Sequence, residues 1–309
     1  MEKKKKGFLT LAALSSIPVL YYGSGSVIFN KLFKTNREYE DKDTLDMLPS
    51  EYAKDMYREH IVDDINWFKA SKTEKIQIKS FDGLMLDGIK VINYETDKII
   101  MMFHGYNTDR YALLRQAKIF ADRGYNLLMV DQRGFGHSDG RYTTFGFKES
   151  LDVVSWMKRV VDENPQAVIG LYGVSLGAST VMKALGYKLY DNLKFAIADS
   201  GYSSLEDILK YRLKTDIINP AISVKVKKVL GFDVKEVDCV KALSLNETPL
   251  LIIHGEDDRI VPSSMAKELY DANSGYKKIC ILNTSDHAYG CYLNEFTEAI
   301  DEFLKDINQ

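Results

Sequence analysis

An α/β protein with a mostly parallel sheet is what this sequence predicts, on three observations. Six short apolar segments recur along the chain: IIMMF (99–103), NLLMVD (126–131), AVIGLY (167–172), KFAIAD (194–199), PLLIIH (249–254) and KICILN (278–283). Longer amphipathic stretches lie between them, near 109–123, 146–163, 176–190, 263–272 and 289–306. Continuously apolar strands separated by helices are what a parallel sheet covered on both faces requires. Finally, EKIQIKS alternates as a strand, Phe81-Asp82-Gly83 turns, and LMLDGIKVI returns, so a hairpin leads into the sheet and brings the total to eight strands.

The elements follow in order. Residues 1–30 begin with Lys3 to Lys6 and continue through a charge-free stretch from Gly7 to Asn30, closed by Lys31. At about 1.5 Å per residue such a helix spans a hydrocarbon core of roughly 30 Å. Three readings stand: an uncleaved signal anchor completed by Val27-Ile28-Phe29, a signal peptide cleaved near Gly23-Ser24-Gly25-Ser26, and a buried amphipathic helix, which fits poorly because the stretch has no polar face. With the anchor, the protein is expected to sit on a membrane with its catalytic domain outside the cytoplasm; with cleavage, it is secreted. Lysines and arginines flank both ends, so orientation is only weakly biased. Residues 31–43 are charged and read as a tether, and 44–70 carry apolar residues at helical spacing (Tyr52, Met56, Ile61, Ile65, Phe68). The division is therefore 1–30 anchor, 31–72 tether and leading helices, and 73–309 a catalytic domain. Within it, 201–246 carries no strand pattern and reads as a helical insertion, a cap over one end of the sheet.

The totals exclude several classes. A net charge of −3 lacks the basic footprint of a nucleic-acid binder. Three cysteines (Cys239, Cys280, Cys291) make neither a disulfide framework nor a CxxC zinc pattern.

The motif that carries chemistry is Gly173-Val174-Ser175-Leu176-Gly177, after the strand AVIGLY and before a helical stretch. A serine in a sharp strand-to-helix turn needs small residues two positions either side, because the neighbouring backbones crowd it. Serine needs a base, and histidine suits the task near neutral pH. Of five histidines, His60 lies in the leading helix, His104 and His254 end strands in His-Gly pairs, and His137 sits in the loop GFGHSDG. His287 follows the last strand, where a loop reaches over the sheet, and is the candidate base. The base needs a carboxylate to fix its tautomer. Asp258 follows the penultimate strand in HGEDDRIVP; Asp257 is the alternative beside it, and Asp199, ending an earlier strand, a more distant one.

From about residue 74 to 306 the chain resembles the α/β-hydrolase superfamily, near its serine aminopeptidase-like (S33-type) and esterase/lipase branches. FHGYNTD (103–109), DQRGFGHSDG (131–140), LYGVSLGAS (171–179), HGEDDRIVP (254–262) and His287 carry the resemblance. It implies a Ser175–Asp258–His287 triad, with Asp258 as the acid of HGxxDxxVP. It also implies an oxyanion hole from the backbone N–H groups of Leu176 and Tyr106, and a cap over the nucleophile. The expected reaction is hydrolysis of a carboxylic ester or related acyl bond in a small-molecule substrate, with no metal or organic cofactor. Peptidase, thioesterase or acyltransferase chemistry and a non-catalytic binding module are the alternatives. Tyr106 and Tyr202 are expected to line the substrate pocket. Between Asp207 and Lys228 six basic side chains face two acidic ones, a local net of +4. This suits anionic substrates or an anionic membrane surface, or is a solvated helix face. Nothing in the sequence specifies the oligomeric state.

Overall fold

The structure, a computed structural model, describes residues 25–35, 57–215, 220–283 and 285–307. Eight strands form one sheet in the order β1-β2-β4-β3-β5-β6-β7-β8. The hairpin β1 (Thr73–Lys79) and β2 (Met85–Val91) is antiparallel, and β2 meets β4 (Asn126–Val130) antiparallel. From β4 through β3 (Lys98–Phe103), β5 (Val168–Val174), β6 (Leu193–Asp199), β7 (Leu250–Gly255) and β8 (Lys277–Leu282), every pairing is parallel. This is the α/β-hydrolase fold.

Burial follows from the residues. β1 alternates exposed and buried positions, as an antiparallel edge should, whereas β5 and β7 are buried almost throughout. One apolar layer joins Ile100, Met102, Tyr172 and Ile197 to Phe120, Phe296 and Phe303; the opposite face packs Met101, Phe103, Leu171 and Ala196 against Trp156, Met157 and Val181. The outer strand β8 is only partly covered and carries Lys277 and Lys278, which suits an edge. In the order β4-β3-β5 the chain leaves β3 first to one side and then to the other, so loops after β3 and β5 diverge and leave a crevice at their C-terminal ends.

The segment 201–246 holds helices Leu205–Leu213, Pro220–Leu230 and Cys239–Leu243 and, among its described residues, no strand. Tyr202, Leu205, Ile222, Val226 and Phe232 join Leu176 and Phe135 in a third apolar cluster over the sheet.

The N-terminal expectations change here. Residues 25–33 are helical, and Phe29 and Phe33 are fully buried in that third cluster. The two rings stack at 5.1 Å, and Phe33 meets Phe145 edge-on at the same distance. A Cβ on Gly25 would stand 2.6 Å from the Ala221 side chain, so helix 25–33 lies against the helix Pro220–Leu230. Thr143 N–H donates to Phe33 O and Thr35 N–H to Arg141 O. Val27-Ile28-Phe29 therefore belong to a helix docked on the domain instead of completing a bilayer span, and residues 31–35 pack instead of forming a solvated tether. The rest of the expected anchor, 1–24, and of the tether lies outside the described residues. No helix among the described residues is long and apolar enough to cross a membrane.

Candidate active site

Ser175 sits at the turn from β5 into the helix Leu176–Ala184 with φ 55° and ψ −116°. That left-handed strain is uncommon for a side-chain-bearing residue and marks a site that the surroundings over-determine. The flanking glycines are forced: a Cβ on Gly173 would lie 2.2 Å from Gly177 O, and one on Gly177 would lie 2.0 Å from Phe103 O. Both obstacles are backbone, so no rotamer relieves them.

His287 stands on the loop after β8, and the structure brings it to the serine. Ser175 Oγ lies 2.8 Å from His287 Nε2, and His287 Nδ1 lies 2.7 Å from Asp258 Oδ2. With the proton on Nδ1, the ring donates to Asp258 and accepts from Ser175. The other oxygen of Asp258 accepts the N–H groups of Ile260 (2.8 Å) and Val261 (2.9 Å). Burial alone would raise this carboxyl, but hydrogen bonds from His254 and His287 outweigh it and hold it well below the usual carboxylate range. Asp257 is exposed, and its backbone bonds to Ser285 O instead. Asp199 is buried with its carboxylate on Tyr172 Oη and Ser200 Oγ, both at 2.9 Å, so it is engaged elsewhere.

His254, which ends β7 in a His-Gly pair, does more than close a turn. It is fully buried, and its Nε2 lies 2.9 Å from Val261 O and 3.2 Å from Asp258 Oδ2. The acid thus has histidines on two sides. A His four residues before the Asp was the available signal. Asp286 accepts His287 N–H on Oδ1 at 2.7 Å and fixes the loop that carries His287.

The N–H groups of Tyr106 and Leu176 have no protein acceptor among the described residues. Tyr106 follows Gly105, where a Cβ would lie 3.6 Å from Ser175 Cβ. His104 braces this loop: Nδ1–H donates to Gly105 O at 2.7 Å, Nε2 accepts Gln132 N–H at 2.9 Å, and Gln132 Nε2 donates to His104 O at 2.6 Å. Burial pushes the His104 pKa down, in keeping with the neutral ring this pattern needs. The Tyr106 ring, 38% exposed, stacks on Phe145 and meets Phe135 edge-on, and its hydroxyl donates to Leu32 O at 3.0 Å. Tyr202 is placed differently from the pocket-lining expectation. It is 3% exposed, and its hydroxyl donates to Phe145 O, so it supports the cap from within.

The loop DQRGFGHSDG braces the site, and its Phe135 ring meets Tyr106. Arg110 donates to both Asp87 and Asp131, and Asp131 also accepts the N–H groups of Arg110 (3.0 Å) and His137 (2.8 Å). Asp87, Asp131 and His137 are grouped closely enough for a metal. The Arg110 guanidinium already lies on both carboxylates and supplies the positive charge there.

A strained serine hydroxyl on a carboxylate-held imidazole, at the switch point of such a sheet, is the arrangement of a serine-type hydrolase. The chain belongs to the α/β-hydrolase superfamily. The profile described as "Serine aminopeptidase, S33" matches residues 94–202. Uncharacterized protein YqkD of Bacillus subtilis is 30% identical over 252 residues, covering 78% of this chain and 82% of that one. Lysophosphatidylserine lipase ABHD12 of Danio rerio is 23% identical, and the match covers 72% of this chain and 54% of its own. Among solved structures, the esterase Pf2001 of Pyrococcus furiosus superposes with a TM-score of 0.63 at 26% identity, covering 77% of this chain and 93% of the esterase.

Proposed function

We propose that this protein hydrolyses carboxylic esters of small molecules through an acyl-enzyme. Ser175 is the nucleophile, His287 the base and then the acid, Asp258 the group that orients and stabilises His287, and the N–H groups of Tyr106 and Leu176 the oxyanion hole. One observation carries the reading: the unbroken hydrogen-bond chain Ser175–His287–Asp258 at 2.8 and 2.7 Å.

The steps follow from the geometry. As Oγ attacks the ester carbonyl, its proton passes to Nε2, and the imidazolium forms against an ionised Asp258. The alkoxide develops beside two N–H groups held rigid by the helix start and by the His104–Gln132 brace. Such donors are typically worth about 3 kcal/mol each in the transition state. Nε2 then returns the proton to the leaving alcohol, and water repeats the sequence on the acyl-enzyme. Tyr106, Phe135 and Phe145 offer the acyl part an aromatic wall. The names carried by the Pyrococcus esterase and the zebrafish lipase agree with ester chemistry. An aminopeptidase requires an anion to hold the substrate ammonium, whereas the insertion 201–246 carries a cleft lined by Lys210, Arg212 and Lys214.

A fluorophosphonate probe should label the protein at Ser175, and Ser175→Ala should abolish labelling. p-Nitrophenyl esters of increasing acyl length should be turned over in preference to aminoacyl naphthylamides. Failure of the folded protein to label removes the nucleophile assignment, and preference for the amides makes it a peptidase.

A further inference from the structure

A cleft of about 460 Å³ is lined by Lys210, Tyr211, Arg212, Lys214, Thr215 and Arg259, the last adjacent in sequence to Asp258. Two segments remote in sequence build it. Helix Leu205–Leu213 ends at Lys214, whose φ of 51° makes a left-handed cap, and Thr215 N–H returns to Lys210 O at 3.1 Å. This closed turn sets Arg212, Lys214 and Thr215 beside one another. From the other side comes Arg259, the residue after Asp258. Its N–H donates to Asp286 Oδ1 at 3.4 Å, the same oxygen that takes His287 N–H. Arg259 and the base are thus held by one carboxylate, and the cleft adjoins the histidine side of the site.

The charge balance is one-sided. Lys210 pairs with Glu206 at 2.9 Å and approaches Asp207 at 3.7 Å. Arg212, Lys214 and Arg259 have no carboxylate within ion-pair distance among the described residues. Three uncompensated cations around an open cleft make a receptor for an anion, and two of them are guanidinium groups that can grip phosphate or carboxylate bidentately. The reaction decides which half of the substrate brings that anion. His287 must hand its proton to the departing oxygen, so the alcohol half lies against His287 and hence toward Arg259. The acyl half faces Tyr106 and the aromatic wall.

We propose that this cleft is a subsite for a phosphate or carboxylate on the alcohol half of the ester, which deepens the ester-hydrolase reading and rests on it. Its sources are a soluble phosphorylated alcohol or the headgroup of a single-chain lipid.

The test separates binding from turnover. Ser175→Ala is titrated by calorimetry with butyrylglycerol phosphate and with the neutral monobutyrin. The anionic ester should bind at least about tenfold more tightly, the scale of a charge-assisted contact. That advantage should vanish when Arg212→Gln and Arg259→Gln are added, and in about 1 M salt, where exposed charges interact over only about 3 Å. Inorganic phosphate should compete. Equal binding of the two esters overturns the proposal, as does a preference that survives both substitutions in protein with an unchanged melting temperature. Wild-type hydrolysis is followed in parallel with the same pair, and with oleoyl lysophosphatidic acid against monoolein in micelles. Preference for the butyryl phosphate supports a soluble source, and preference for the oleoyl phosphate a lipid one. If neither family is hydrolysed, the ester-hydrolase reading fails while the binding result still decides the subsite.

Discussion

Replacing Asp258 by asparagine tests the proposed mechanism most directly, because the amide can enter this site in only one orientation. Asp258 Oδ1 accepts two backbone N–H groups, from Ile260 and Val261. The asparagine carbonyl must take that place, since an NH2 there would face two donors. Its NH2 then points at His287 Nδ1, which must accept, and the ring proton moves to Nε2. Nε2 then donates to Ser175 Oγ and cannot take its proton. His254 Nε2, 3.2 Å from the same Asp258 oxygen, gives the amide no relief. The comparable tautomer inversion in serine proteases lowers kcat about 10⁴-fold, a magnitude taken from that system and equal to about 5.4 kcal/mol at 1.36 kcal/mol per decade. Here kcat/KM for a p-nitrophenyl ester should fall by about that factor, while melting temperature and KM change little. Asp257→Asn, at an exposed position, should leave activity within about twofold. Asp258→Asn protein retaining more than a tenth of wild-type kcat/KM, or an equal loss from Asp257→Asn, would refute the assignment.

Three further outcomes can be measured. Phe29→Ala removes a fully buried ring and should cost about 3–5 kcal/mol by denaturant unfolding, with a higher KM for long-chain esters; a change under about 1 kcal/mol would mean the helix is not docked in solution. Gly177→Ala drives a Cβ to 2.0 Å from Phe103 O and should cost at least about 1–3 kcal/mol and abolish fluorophosphonate labelling, since strand and helix must part to admit it. For Asp131, burial alone would raise the carboxyl, but His137 and Arg110 hold it below the usual carboxylate range. Its contribution is therefore complete above the unfolded pKa near 3.9 and is lost as pH falls toward the folded value. The melting-temperature gap between wild type and Asp131→Asn should be widest near pH 7 and narrow below about pH 4; a gap that widens with acid contradicts the sign.

Much of the fold was legible because its signals are local. The buried strands read as uninterrupted apolar runs, and the crowding around Ser175 dictates glycine at 173 and 177 within one turn of chain. Ser175 and His287 could be proposed because each follows a strand, and strand ends gather on one edge of the sheet; strand position alone leaves Asp257 and Asp258 open, and the HGxxDxxVP resemblance favours Asp258. What stayed hidden depends on partners distant in sequence. A charge-free run such as 7–30, with no polar face, reads as suited to lipid more than to a buried helix, and only the presence of Ile222, Val226 and Phe145 shows that Phe29 and Phe33 enter a hydrophobic groove. His254 looked like punctuation because its second contact, Asp258, depends on how the intervening loop folds back. Tyr202 lies near the end of β6, but nothing in sequence indicates that its hydroxyl reaches Phe145 O, 57 positions away.

The docked helix 25–33 also moves the practical boundary of the catalytic unit. By sequence pattern the first strand begins near residue 73, and a shortened chain starting there would retain every strand, Ser175, Asp258 and His287. It would also lose the carbonyl of Leu32 that holds the Tyr106 hydroxyl and the aromatic filling between Phe145, Tyr142 and the helix Pro220–Leu230. Kinetics measured on such a trimmed protein would describe a chain with a loosened Tyr106 loop and an open apolar groove. Substrate preference therefore has to be measured on a chain that retains residues 25–35.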